Sequence, residues 1–303
     1  MATTVSVIDQ IESEIRAIET NASLGAEANF IGRAEAIDQI EFHIIDRINA
    51  TQSCSDDLID LKRHAISLID DLAAINENIF RRLRTGIIDG SLRGESLRRE
   101  FDRYVGERGA GHRGYDHLDV FVNGLLRFDT MPQETRAREP EMVFYQPTPA
   151  RVILELIEMI PITPQDIFID LGSGLGQVCI LVHLLTGART HGIEFEPTYC
   201  DYACESARRF NLSHVEFVNG DARAASYMDG TIFFMYTPFK GAIMENVLQK
   251  IEQESRGRTV QICAYGECAT QVSNQPWLSL VAQRREGTDA LAILKRNHVE
   301  EQK

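Results

Sequence analysis

Residues 167–178 read IFIDLGSGLGQV, and how this stretch is read decides the fold. IFIDL has the length and apolar composition of a strand buried on both faces. Gly172, Gly174 and Gly176 follow at G-x-G-x-G spacing, and QVCILVHLLTG (177–187) continues as an apolar helical pattern that stops at a glycine. Glycines between a strand and a helix allow a tight turn and let a ligand approach the backbone closely. The dinucleotide fingerprint G-x-G-x-x-G would need a glycine at 177, where Gln177 stands. Asp170 ends the strand just ahead of the turn. A carboxylate there suits a ligand with a cationic amino group and a nearby sulfonium, and is unhelpful beside a pyrophosphate.

Working outward, short apolar runs alternate with helical patterns. THGIEF (190–195), VEFVN (215–219), TIFFMY (231–236) and TVQICAY (259–265) read as strands. The segments 198–211 and 242–255 read as helices between them, and ARVILELIEMI precedes the first strand, with Thr148 as its N-cap and Pro149 at its first position. Strand–helix alternation specifies a parallel sheet with helices on both faces. WLSLVAQRR and ALAILKRN, separated by EGTD, read instead as a terminal antiparallel hairpin.

Two further acids fall at strand ends. Glu194 closes the second strand, where a carboxylate can accept hydrogen bonds from ribose hydroxyls. Asp221 follows the third strand in VNGDA, where it can accept from an adenine amino group. Each has a plainer use: Asp170 as a turn residue, Glu194 as a surface acid, Asp221 as a helix cap. Together with the glycine loop they converge on one crevice at the C-terminal edge of the sheet.

DLGSGLGQV, GIEFEP, NGD and TIFFMYTPF together resemble the class I S-adenosylmethionine (SAM)-dependent methyltransferases. FIDLGSGLGQV and the IFF-x-x-x-x-F pattern most resemble the Dot-one-type, non-SET histone lysine methyltransferases. The resemblance covers roughly residues 145–265. It implies an α/β fold, a class I methyltransferase Rossmann-like sheet with a terminal antiparallel hairpin, and SAM as cofactor. It implies SAM contacts at Asp170, Gly172, Ser173, Gly174, Gly176 and Gln177, and at Glu194, Phe195, Gly220, Asp221 and Ala222. Tyr145 and Thr148 join these from the segment ahead of the first strand, and Tyr236 from the end of the fourth. In the histone enzymes an asparagine stands where this chain has Tyr236, and basic segments grip the nucleosome. The Tyr236 phenol either hydrogen-bonds the acceptor, walls the methyl group, or packs as a core residue. Phe239 is expected to wall the pocket. Tyr115 and His112, with His117, are candidates for a lid or a general base in the segment HRGYDHLD.

Residues 1–106 read as an α-helical N-terminal domain. Ile8, Ile11, Ile15 and Ile18 recur at helical spacing, as do Ile37, Ile40, Ile44 and Ile48, and a longer series runs from Leu58 to Leu83. These helices are expected to form a bundle that caps the crevice. Their isoleucine stripes also suit a homodimer interface, although intramolecular packing is the simpler use. The RRLR run at 81–84 reads as a helix-end charge cluster. Residues 107–147 read as a linker and lid region, and 148–303 as the SAM-binding domain.

The net charge of −14 opposes a nucleic-acid acceptor, which calls for a basic footprint. No secretory signal and no membrane span are read from the chain. Cysteine usage fits reduced thiols in the cytoplasm; Cys200, Cys204 and His191 offer a zinc set only in principle, and no metal is expected. The expected function is methyl transfer to a nitrogen or oxygen of a small metabolite. Protein lysine methylation and a non-catalytic SAM sensor are the alternatives. An NAD-dependent oxidoreductase is disfavoured by Gln177, Asp170 and the hairpin.

Overall fold

The computed structural model describes residues 2–51, 55–106, 114–128 and 130–296. The isoleucine stripes fold as helices: α1 (Ala2–Glu19), α2 (Phe30–Asp38), α3 (Asp46–Ala50) and α4 (Asp56–Ile88). A π-helical stretch, Gln39–Ile45, joins α2 to α3 without a break. Ile11, Ile15, Ile40, Ile44, Leu58, Ala65 and Leu72 close a core among α1, the π stretch and the first half of α4.

The second half of α4 behaves differently. It packs on α6 (His117–Leu126), which in turn packs on α7 (Ala150–Met159), while α5 (Gly94–Val105) packs on α6 and on the helix that follows the first strand. Ile79, Leu83, Phe101 and Phe121 share one continuous core with Ile153 and Leu156 of α7. Phe121 meets Phe30, Phe80 and Phe101 edge-on and Tyr104 face-on. Fully burying each such side chain contributes about 1.5–3 kcal/mol. The arginines at 82 and 84 are cross-ties: Arg84 donates to the carbonyls of Leu125 (2.9 Å) and Gly124 (2.5 Å) at the C-terminus of α6.

The apolar runs form β1 (Ile167–Leu171), β2 (Arg189–Glu194), β3 (Val215–Asn219), β4 (Ile232–Tyr236), β5 (Gln261–Tyr265), β6 (Leu278–Arg284) and β7 (Leu291–Arg296). Their order is β3-β2-β1-β4-β5-β7-β6. The first five are parallel, and β7 runs antiparallel between β5 and β6. The crossovers are α8 (Gln177–Thr186), α9 (Pro197–Arg209) and α10 (Gly241–Glu254); α11 (Cys268–Ser273) is a short turn of helix ahead of the hairpin. The order reverses beside β1, so a crevice opens where the chain leaves β1 and β4 in opposite directions.

Candidate active site

The crevice is built around β1. Gly172 and Gly174 take positive φ values of 76° and 53°. A Cβ on Gly172 would lie 2.4 Å from Pro238 Cβ, and one on Gly174 would lie 2.1 Å from the Tyr145 ring. The loop is therefore glycine both for its backbone and for the two chains that cross it. Glu194 ties the loop to β2: one carboxylate oxygen accepts from Gly174 N–H at 2.7 Å and the other from Glu196 N–H at 2.8 Å. Burial raises the Glu194 pKa against those two donors. Asp170 is 3% exposed, and no donor among the described residues hydrogen-bonds it. Burial first, then the neighbouring Glu194, pushes it up to about 8.

The cleft encloses about 810 Å³, its open mouth included. Its walls come from four strand ends and from residues 134–146. That last segment, read from sequence as a surface linker, is a strap pinned at every strand end it crosses. Glu196 accepts from the Thr135 hydroxyl (2.7 Å) and Arg136 N–H (2.8 Å), and is held down to about 2 by these bonds despite the opposing effect of burial. The Arg136 guanidinium lies 4.6 Å above the Phe195 ring. Arg223 bridges Asp221 and Glu139. Met142 pairs with Phe239, and Val143 N–H donates to the Pro238 carbonyl at 3.1 Å. Glu141 accepts from Ala242 and Ile243 N–H at the start of α10 (3.1 and 3.0 Å).

Of the residues expected from sequence, Tyr145, Gly172, Glu194, Phe195, Gly220, Asp221, Ala222 and Tyr236 line the cleft, and so does Phe239. Asp170, Ser173, Gly174, Gly176 and Gln177 are buried behind the glycine turn, and Thr148 is buried at the foot of α7. Glu134, Arg138, Met142, Val143 and Gln146 are lining residues that sequence reasoning missed. None of the described lining residues comes from residues 2–106, so the expected helical cap is corrected: α1 to the first half of α4 pack on one another, the rest join the core that holds α7 and α8, and the strap covers the crevice instead.

Four other expectations meet a different geometry. Thr148 is not an N-cap. The helix begins at Ala150, whose N–H donates to Asp119 Oδ1 at 2.7 Å, so an acid from α6 supplies the cap. Asp221 is not a free acceptor: Arg223 grips its carboxylate at 3.0 and 2.6 Å and, as the leading cause, lowers its pKa. His117 faces Glu35 on α2 at 4.0 Å rather than the cleft, and His112 lies outside the described residues. The Tyr115 hydroxyl donates to the Pro147 carbonyl at 2.8 Å.

The Tyr236 ring lies against Tyr265, tilted by 37° with centroids 4.6 Å apart. Burial, then Tyr265, drives its pKa well above the ordinary phenol value, so it keeps its proton at neutral pH. His191 stands beside Glu216 rather than the α9 cysteines, and the five described cysteines are free. Among the described residues no three His, Cys, Asp or Glu side chains gather to hold a metal.

Residues 142–232 match the family model of the histone methylation protein DOT1. No curated protein sequence matches the chain. Among solved structures, the Salinibacter ruber RNA methyltransferase in complex with S-adenosyl-L-homocysteine is 22% identical over 52% of this chain and 98% of that one, with a TM-score of 0.43. The Geobacter metallireducens precorrin-6y C5,15-methyltransferase is 13% identical over 53% of this chain and 92% of that one (TM-score 0.38). The Lactobacillus delbrueckii ribosomal protein L11 methylase is 14% identical over 49% and 78% (TM-score 0.40). The DOT1 match falls on β1 to β4 of a sheet ordered β3-β2-β1-β4-β5-β7-β6, and this part of the chain is similar to the histone methylation protein DOT1.

Proposed function

We propose that the chain transfers the methyl group of SAM to a nitrogen or oxygen atom of a small metabolite. The observation that carries this reading is the strap. Residues 134–146 cross the cleft and tie down on both sides, which favours an enclosed acceptor over a long polymer. The net charge of −14 also weighs against nucleic acid. Protein lysine is the second reading, favoured by the DOT1 match.

The residues present fit the cofactor. Asp170 is a buried acid with no donor among the described residues and a second acid beside it, an arrangement that an incoming cation relieves. The Ser173 hydroxyl is likewise buried without a partner among the described residues. SAM supplies a methyl group on a positively charged sulfur, open to in-line displacement. Asp170 and Glu194 would hold its charged and hydroxyl-bearing parts, with Tyr145 covering the glycine loop. Tyr236, still protonated, would donate a hydrogen bond to the acceptor rather than take its proton. The strap would exclude water and fix the approach.

The test is incubation of the full chain with tritiated SAM and an extract of the cells that make it, followed by separation into small-molecule, protein and RNA fractions. Label among small molecules supports the proposal. Label on protein lysine selects the second reading, label on RNA overturns both, and tight SAM binding without transfer to any fraction marks a sensor.

The same reading puts the protein in the cytoplasm, in keeping with its free described cysteines. Among the described residues no helix is long and apolar enough to cross a membrane. A homodimer through the N-terminal helices is part of the proposal, supported by exposed Phe42 and Ile59. Light scattering should give a dimer mass that Phe42→Asp reduces; a monomer at all concentrations would end that part.

A further inference from the structure

Arg151, in the first turn of α7, is only 4% exposed. Its Nε donates to the Gly114 carbonyl at 3.0 Å. Nη1 and Nη2 are buried and, beyond the Tyr265 phenol, have no hydrogen-bond partner among the described residues. Glu155 stands 4.0 Å from Nη1, but its carboxylate is already gripped by both terminal nitrogens of Arg285, at 2.9 and 2.7 Å. A guanidinium always carries its charge, and burying one with unused donors is strongly unfavourable unless something completes it.

The surroundings indicate what does. The Tyr265 phenol lies beside the Arg151 guanidinium. Tyr265 packs against Tyr236, which lines the cleft at the end of β4. Tyr115 stands near the same end, 47% exposed, with its hydroxyl donating to the Pro147 carbonyl. A forked cation with donors to spare therefore sits behind a wall of phenols, next to the strand end where the acceptor would stand.

We infer that Arg151 anchors an anionic group of the methyl acceptor, a carboxylate or a phosphate, so that the substrate is a small anionic metabolite. The guanidinium fork receives two oxygens side by side, which a point charge such as lysine does less well. The tyrosines flank the rest of the molecule and direct its nucleophile toward the cleft. Displacement of the Tyr115 ring opens the way to Nη1 and Nη2. This inference rests on the small-metabolite reading and narrows it.

The experiment is calorimetric titration of the full chain, loaded with S-adenosylhomocysteine, using benzoate, inorganic phosphate and neutral benzamide as probes. Benzoate or phosphate should bind and benzamide should not. The tighter of the two anions distinguishes a carboxylate acceptor from a phosphate ester. Arg151→Gln should weaken anion binding roughly tenfold or more, and Arg151→Lys by less. Binding of benzamide equal to benzoate, no anion binding in the wild-type chain, or unchanged anion binding in Arg151→Gln would each overturn the assignment. The wild-type comparison of benzoate with benzamide decides the matter even where a variant does not fold. S-adenosylhomocysteine affinity is measured in the same samples. Its absence sinks the methyltransferase reading, whereas normal cofactor binding without anion binding sinks only the role given to Arg151.

Discussion

Asp170 should release a proton when SAM binds. Its carboxyl titrates near 8 in the folded chain against an ordinary value of 3.8. At pH 7 such a group is about nine-tenths protonated. A cationic ligand favours the ionised form, so binding at pH 7 should expel most of one proton per SAM. The sign for stability follows from the same shift. The folded pKa lies above the unfolded one, so ionising Asp170 costs stability: the cost is absent below pH 3.8, grows as pH rises, and is complete above pH 8. A rise of about four units sets its upper bound at about 6 kcal/mol. Asp170→Asn removes that cost. Without ligand, the variant should melt at a higher temperature than wild type at pH 8 and at the same temperature at pH 4. Its SAM affinity should fall roughly ten- to a hundredfold, because a charge-assisted contact is lost. The assay is titration calorimetry in buffers of different ionisation enthalpy, at pH 7 and at pH 9.5, where the release should vanish. Wild-type binding at pH 7 with no proton released would refute the reasoning. Release that persists in Asp170→Asn would also refute it, by assigning the proton to Glu194.

Gly174→Ala places a side chain at φ 53° and drives a Cβ to 2.1 Å from the Tyr145 ring. The backbone strain alone costs about 1–2 kcal/mol, so SAM affinity should fall about tenfold or more by calorimetry. Arg223→Ala cuts the bridge between Asp221 and Glu139. These are partly exposed ion pairs, so the expected loss in SAM affinity is only about threefold, but amide hydrogen exchange across residues 134–146 should quicken. Tyr236→Phe keeps the ring contact with Tyr265 and removes the hydroxyl. With an acceptor in hand, kcat should drop roughly ten- to a hundredfold and SAM affinity should hold, and an unchanged kcat would leave Tyr236 as a wall only. Deleting residues 1–106 uncovers Ile153, Leu156 and their neighbours, and should yield aggregated protein rather than a soluble SAM-binding fragment.

The sheet was legible because buried parallel strands read as unbroken apolar runs, and because Gly172 to Gly176 punctuate the first of them. The helices before residue 106 were legible from their isoleucine spacing, but not the face they cover. That depends on matching Phe101 and Phe121 to Ile153, contacts that no local pattern encodes. The strap was hidden for the same reason. Thr135 meets Glu196 across 61 residues, and Glu141 meets Ile243 across 102, so DTMPQETRAREPEM reads as a polar linker until the partners are in view. The start of α7 was misplaced because a serine- or threonine-type cap is sought locally, whereas Asp119 reaches it from 31 residues upstream. Cys268–Ser273 is too short to show a helical period.

The strap has a consequence for the tempo of turnover. It is anchored beside β2, β3 and α10 by bonds that do not involve the methyl acceptor, and it runs directly into Tyr145 and α7. The spent nucleoside leaves past the same segment that shelters the reaction, so a catalytic cycle must undo several modest contacts together before the next donor can enter. The rate-limiting event would then be a loop opening on the microsecond-to-millisecond scale rather than the methyl shift itself. Viscosity would slow such an enzyme, whereas deuterating the transferred methyl would hardly change its steady-state rate.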